Sequence, residues 1–256
     1  MDLGLADRVY VVTGASRGLG LASARVLVAE GARVAIVARP SEALDAAVSA
    51  LGASAIAVPA DLADADAPDH AVEAALTAFG RLDGALLSVG GPPPGSVLTT
   101  TDDQWRASFD SVFLGSIRMA RAVCTAIASC GHAATGSLAW VLSTSAVEVF
   151  TGLTISNGLR PGLAMLVKDL ADEVGPSGIR VNGLLPGRIA TDRLAALDAA
   201  SGDAAASRAM ASARIPLRRY GDPDEFARVA AFVLSPAAAY VTGTLIAVDG
   251  GVTRQP

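Results

Sequence analysis

Three glycines in fixed order constrain the fold of this chain more than any other feature. Gly14, Gly18 and Gly20 follow the apolar run Tyr10-Val11-Val12-Thr13 and open an Ala- and Leu-rich segment. A Gly-x3-Gly-x-Gly spacing between a strand and a helix suits a turn that lays bare backbone against a phosphate-bearing ligand. Gly14 permits the tight turn and Gly18 lets the backbone approach a diphosphate. Gly20 lets the helix pack closely on the strand, and the helix N-terminus faces the negative charge.

The rest of the chain repeats the same alternation. Short apolar runs at 9–12, 34–37, 55–58, 84–88, 138–142, 181–185 and 245–248 are separated by amphipathic, Ala-rich segments. Nearly continuous apolar strands are expected where helices cover both faces of a parallel sheet. The expectation is an α/β chain forming one Rossmann-type, doubly wound parallel β-sheet of about seven strands over residues 1–256. Helices are expected to start near Gly18, Ser41, Ala67, Thr101, Ile155 and Asp222. Two starts carry caps: Thr101-Asp102-Asp103-Gln104 reads as a capping box, and Asp222-Pro223-Asp224-Glu225 joins an N-cap, a first-turn Pro and an acidic third position. Residues 191–214, rich in Ala, Ser and Asp, are expected to form a weakly anchored helical lid.

Charge and composition narrow the partners. A net charge of −5, with no basic stripe between aromatics, argues against a nucleic-acid partner. No apolar run approaches the ~20 residues of a membrane span, and Asp2 and Asp7 argue against a signal peptide. The two cysteines, Cys124 and Cys130, fit a reduced cytoplasmic protein without disulfides or a metal site.

The loop Thr13-Gly14-Ala15-Ser16-Arg17-Gly18-Leu19-Gly20 resembles the nucleotide-binding loop of the short-chain dehydrogenase/reductase superfamily. Asp61-Leu62 is similar to the pair that contacts adenine there. Pro186-Gly187-Arg188-Ile189-Ala190-Thr191 is similar to the segment that holds the nicotinamide carboxamide, with Thr191 as hydroxyl donor. Gly178-Ile179-Arg180-Val181-Asn182 and Val248-Asp249-Gly250-Gly251 match the superfamily's C-terminal half, so the resemblance spans roughly residues 5–251. It implies a dinucleotide site drawn from Gly14, Ser16, Arg17, Gly18, Leu19, Gly20, Arg39, Asp61, Leu62, Ser88 and Gly90, together with Arg160, Pro186, Gly187, Ile189 and Thr191. The second strand ends Ala38-Arg39-Pro40-Ser41, without the acid that grips a ribose 2′-hydroxyl. Arg17 and Arg39 suit a 2′-phosphate instead, so NADP(H) is expected to be preferred over NAD(H).

The catalytic positions depart from the family. In the superfamily a Tyr stands thirteen residues after the active Ser and a Lys four residues later. Counting from Ser143 those positions hold Ser156 and Arg160, and counting back about twenty-six residues from Asn182 also lands on Ser156. The family's fourth-helix Asn falls on Phe113, and its Asn-Asn-Ala-Gly after the fourth strand reads Ser88-Val89-Gly90-Gly91. A Ser hydroxyl is too weak an acid to replace a phenol near neutral pH, and Arg keeps its proton. No tyrosine is well placed to substitute: Tyr10 precedes the glycine loop, Tyr220 the last helix, and Tyr240 the final strand. His70 and His132 lie in polar contexts. Ser143, Ser156 and Arg160 remain as a pocket able to stabilise charge on a substrate oxygen. Pro161 follows Arg160 and leaves the direction of that side chain open. The run Gly90-Gly91-Pro92-Pro93-Pro94-Gly95 with Ser156-Asn157-Gly158-Leu159-Arg160 resembles an atypical branch near the β-ketoacyl-carrier-protein reductases.

Three functions stay open at this point. One is an NADP(H)-dependent oxidoreductase on a carbonyl or alcohol. The second is a non-redox dehydratase, isomerase or cyclase, and the third a catalytically silent nucleotide-binding subunit. The resemblance also implies a homodimer or homotetramer formed through helices at 101–129 and 155–174.

Overall fold

The computed structural model describes residues 2–130, 136–200 and 202–254. Seven strands, β1 (Val9–Thr13), β2 (Arg33–Ala38), β3 (Ala55–Pro59), β4 (Gly84–Leu87), β5 (Ser137–Val141), β6 (Arg180–Pro186) and β7 (Leu245–Val248), form one sheet in the order β3-β2-β1-β4-β5-β6-β7. Every pairing is parallel. Nine helices connect the strands among the described residues: α1 (Gly18–Ala29), α2 (Glu42–Leu51), α3 (Ala67–Phe79), α4 (Asp102–Ser108), α5 (Gly115–Ser129), α6 (Thr154–Val174), α7 (Asp192–Ala199), α8 (Ala204–Arg214) and α9 (Pro223–Leu234). The doubly wound sheet expected from the apolar alternation is therefore the fold. The order reverses direction at β1 and β4, the switch point where ligands of such sheets bind.

Side-chain alternation divides the interior into two cores. Val9 and Val11 of β1 face α3, α5 and α6, joining Ala71, Met119, Val123, Ile155 and Val167. Tyr10 and Val12 face the opposite layer, with Leu27, Leu44, Phe226 and Leu234 from α1, α2 and α9. Each fully buried Leu, Val or Phe contributes about 1.5–3 kcal/mol relative to exposure. Both expected caps form. Thr101 accepts from the Gln104 amide while Gln104 accepts from Thr101, and Asp222 with Glu225 does the same at α9 behind Pro223.

The helix expected across 101–129 is interrupted. A π-helical turn, Phe109–Leu114, separates α4 from α5. Tertiary contacts accompany it: the Phe113 ring packs on Gly162 of α6 and stacks on Phe109 at 5.3 Å. Taken as one stretch, Asp102–Ser129 has the length of a membrane-crossing segment, and its most apolar 18-residue window has a matching mean hydropathy of 1.3, contrary to the expectation that no apolar run does. In the fold 44% of that window is buried, and its apolar side chains include core residues such as Met119 and Val123. Residues 191–214 form α7 and α8 with more anchorage than their composition suggests. Buried Asp198 accepts from Tyr220 at 3.0 Å and from Ser207 at 3.0 Å, and pairs with Arg188 at 3.4 Å.

Candidate functional site

The glycine loop lies at the carboxyl end of β1, beside β4. Gly14 adopts φ +59 and Gly18 φ +59, a region that side chains resist. A Cβ on Gly14 would stand 2.5 Å from the Ser88 carbonyl oxygen, and one on Gly20 would stand 2.7 Å from the Gly14 oxygen. Thr13 Oγ1 locks the two strand ends together, donating to Ser88 O at 2.7 Å and accepting from Ser88 N at 2.9 Å. Gly14, Gly20 and Ser88 therefore share one tight corner, over which the N-terminus of α1 opens. Its N-cap, Arg17, is extended and makes no side-chain cap bond, so the first amides of α1 stay free of a capping side chain. Ser16 and Leu19 lie on the same turn, half-buried.

The remaining cofactor candidates surround this corner. Arg17 and Arg39 are exposed, and neither forms an ion pair among the described residues. Asp61 accepts from the Ala63 amide at 3.0 Å at the end of β3, with Leu62 buried beside it. On the far side Pro186 ends β6, Ile189 is buried, and Thr191 caps α7 by accepting from Leu194 N. The methyl group of Thr191 would lie 3.9 Å from a Cβ on Gly18, so the start of α7 reaches the glycine loop. Gly187 needs its lack of a side chain, because a Cβ there would stand 2.6 Å from Asp249. Gly90 has open space around it. A bare cradle, free helix amides and unopposed cations fit a dinucleotide phosphate.

The three catalytic candidates meet through a residue the sequence did not single out. Ser143 stands two residues beyond β5 and accepts from the Ser145 amide at 3.1 Å, with no acceptor for its own hydroxyl among the described residues. Ser145 Oγ lies 2.8 Å from Ser156 Oγ in a buried pair. Ser156 therefore bonds Ser145 and not Ser143 directly. Arg160 is 4% exposed and turned inward, donating from Nη1 to the Val141 carbonyl at 2.9 Å. Its Nε has no hydrogen-bond partner. Burial lowers the Arg160 pKa to about 10, with the charge of Arg193 adding to the effect. The guanidinium thus stays charged near neutral pH. Pro161 lies inside α6, which continues through it, while the bond to Val141 shows that Arg160 points inward.

Arg193, in the first turn of α7, is the second residue missed. It donates to Gly91 O and Pro92 O, both at 2.8 Å, tying α7 to the glycine- and proline-rich loop after β4. A cation near a helix N-terminus runs against the helix dipole, and that was the available signal. The three tyrosines are engaged or remote. Burial pushes the Tyr10 pKa up and its hydroxyl donates to Leu234 O, Tyr220 bonds Asp198, and Tyr240 is fully exposed. His70 is exposed on α3, and His132 lies outside the described residues. No group of His, Cys, Asp or Glu among the described residues is arranged to hold a metal.

Comparison with known proteins agrees with this geometry. The family model described as Enoyl-(Acyl carrier protein) reductase matches residues 14–253. L-rhamnose 1-dehydrogenase (NAD(P)(+)) of Azotobacter vinelandii is 34% identical over 255 residues, covering 97% of each chain. A 3-oxoacyl-[acyl-carrier-protein] reductase of Synechocystis is 33% identical over 253 residues, covering 97% of this chain and 98% of that one. Among solved structures, L-sorbose reductase of Gluconobacter frateurii, complexed with NADPH and L-sorbose, superposes with a TM-score of 0.94 at 28% identity over the whole of both chains. With the parallel sheet, the glycine corner and these matches along nearly its whole length, the chain belongs to the short-chain dehydrogenase/reductase superfamily of oxidoreductases.

Proposed function

We propose that this chain is an NADP(H)-dependent oxidoreductase acting on a carbonyl or alcohol substrate, with Ser143, Ser156 and Arg160 in place of the family's usual Ser, Tyr and Lys. The observation that carries the cofactor reading is the pair Arg17 and Arg39, exposed and without ion-pair partners on either side of the glycine corner. The NADPH in the related sorbose reductase structure supports it. Gly14, Gly18 and Gly20 would hold the diphosphate, Asp61 and Leu62 the adenine, and Gly187, Ile189 and Thr191 the carboxamide. When bound there, the nicotinamide supplies or accepts the hydride.

The chain's own residues do the rest. Ser143 uses its free hydroxyl to donate to the substrate oxygen, while Ser145 N holds that hydroxyl in place. Arg160 adds a fixed positive charge behind β5, which favours negative charge developing on that oxygen. The proton comes from water, because no side chain here is a suitable acid. Helices α7 and α8 form a lid over this end of the sheet, and self-association uses the outer faces of α4, α5 and α6. Within the chain, Trp105 and Phe113 pack into the spaces left by Gly158 and Gly162 and hold these helices together.

Two measurements test the reading. Arg17→Ala/Arg39→Ala is expected to weaken NADPH by at least ~100-fold and NADH by little, since two charge-assisted bonds are lost at about 1.5–3 kcal/mol each. Equal losses for both nucleotides in a fluorescence titration would remove the preference. Ser143→Ala is expected to lower kcat on a panel of ketones by roughly 100-fold with NADPH affinity unchanged. A second reading, a silent nucleotide-binding subunit, is favoured by the fact that Ser156 and Arg160 already have partners in Ser145 and Val141. Under that reading NADPH binds and no ketone turns over.

A further inference from the structure

Two guanidiniums lie near the carboxyl ends of β4 and β5, and neither pairs with a carboxylate among the described residues. Arg160 is buried beneath the end of β5 and spends one of its five N–H donors, on the Val141 carbonyl, while Nε has none to meet. Arg193 stands over the end of β4 and spends two donors, on the carbonyls of Gly91 and Pro92. The ion pairs among the described residues use Arg8, Arg33, Arg81, Arg106, Lys168, Arg188 and Arg219, and neither of these two. Gly91 belongs to the arrangement, because a Cβ there would collide with the Arg193 guanidinium.

A buried charge without a counter-charge is costly, and a carbonyl dipole offsets only part of the cost. β4 and β5 are neighbours in the sheet, so the two like charges anchored beyond their ends also repel. An anion bound between them removes the repulsion and occupies the free donors, and the planar fork of a guanidinium matches a carboxylate. Resting on the oxidoreductase reading above, we infer that Arg160 and Arg193 form an anion subsite that binds the carboxylate of an acidic carbonyl or alcohol substrate. The dinucleotide's own charges have other holders in the glycine loop, Arg17 and Arg39. The Arg160–Arg193 pair instead lies at the ends of β4 and β5, on the side of Ser143.

Calorimetric titration of NADPH-loaded protein with benzoylformate and with its methyl ester tests this. The acid is expected to bind at least about 10-fold more tightly than the ester. Arg193→Gln is expected to reduce that ratio below about 3-fold, and Arg193→Lys to retain part of it. Equal binding of acid and ester by the parent protein, or an undiminished ratio in Arg193→Gln, overturns the subsite. A preference for the acid seen only before NADPH is added assigns the pair to a cofactor phosphate and also overturns it. If NADPH itself gives no binding heat, the cofactor reading fails separately, and the same acid–ester ratio on the bare protein decides the subsite.

Discussion

Gly14→Val is expected to weaken NADPH binding by at least about 100-fold, equivalent to roughly 2.7 kcal/mol. The position combines two demands that valine cannot meet. Its φ of +59 is one that β-branched residues strongly disfavour. Its Cβ would also press on the Ser88 carbonyl oxygen at 2.5 Å. Ser88 has little freedom to retreat, because Thr13 Oγ1 holds both its amide and its carbonyl. Relief must come from the loop itself, which moves the cradle away from the phosphate. Nicotinamide fluorescence measures the affinity, and far-ultraviolet circular dichroism checks that the sheet survives. An affinity within threefold of the parent would show that the corner does not bind the cofactor.

Arg180→Met is expected to cost about 3–5 kcal/mol of stability, the range for leaving buried polar groups without their charged partner. Arg180 starts β6 and is 8% exposed, yet it meets no carboxylate among the described residues. Its guanidinium donates to four backbone carbonyls, those of Val233 at 2.8 Å, Val241 at 3.2 Å, Leu234 at 3.4 Å and Ser235 at 2.9 Å. Two of these belong to the last turn of α9, where intrahelical donors run out and the dipole favours a cation. Methionine keeps most of the apolar stem and removes all four bonds. A fall in melting temperature of roughly 10 °C is expected for a chain of this length. A loss under 1 kcal/mol in urea denaturation would mean that water replaces the guanidinium there.

The sequence made the frame legible for physical reasons that can be located. Each strand is marked by an apolar run, buried on both faces in the central strands and half-exposed in the edge strands β3 and β7, and the helix starts at 102 and 223 by side chains that cap free amides. The π turn at Phe109–Leu114 was not legible, because Gly162 and Phe113 are far apart in sequence. The glycine corner could be read directly, since backbone freedom is written in residue type. The hydroxyl pair of Ser145 and Ser156 could not, because one residue follows a strand and the other lies on the helix after it. Arg193 was hidden for the same reason, its partners lying about a hundred residues earlier in the chain.

The inward turn of Arg160 has a consequence for how the site meets its surroundings. Ser143, Ser145 and Ser156 carry no charge near neutral pH, and Arg160, with its pKa at about 10, does not lose its own. A site built on a phenol and an amine carries its own proton store, filled and emptied by the solution. Under the proposed function, the electrostatic field that these side chains set around the reacting oxygen is fixed by the fold. The acidity of the medium acts on the substrate and the water that reach this site, and leaves the walls as they are.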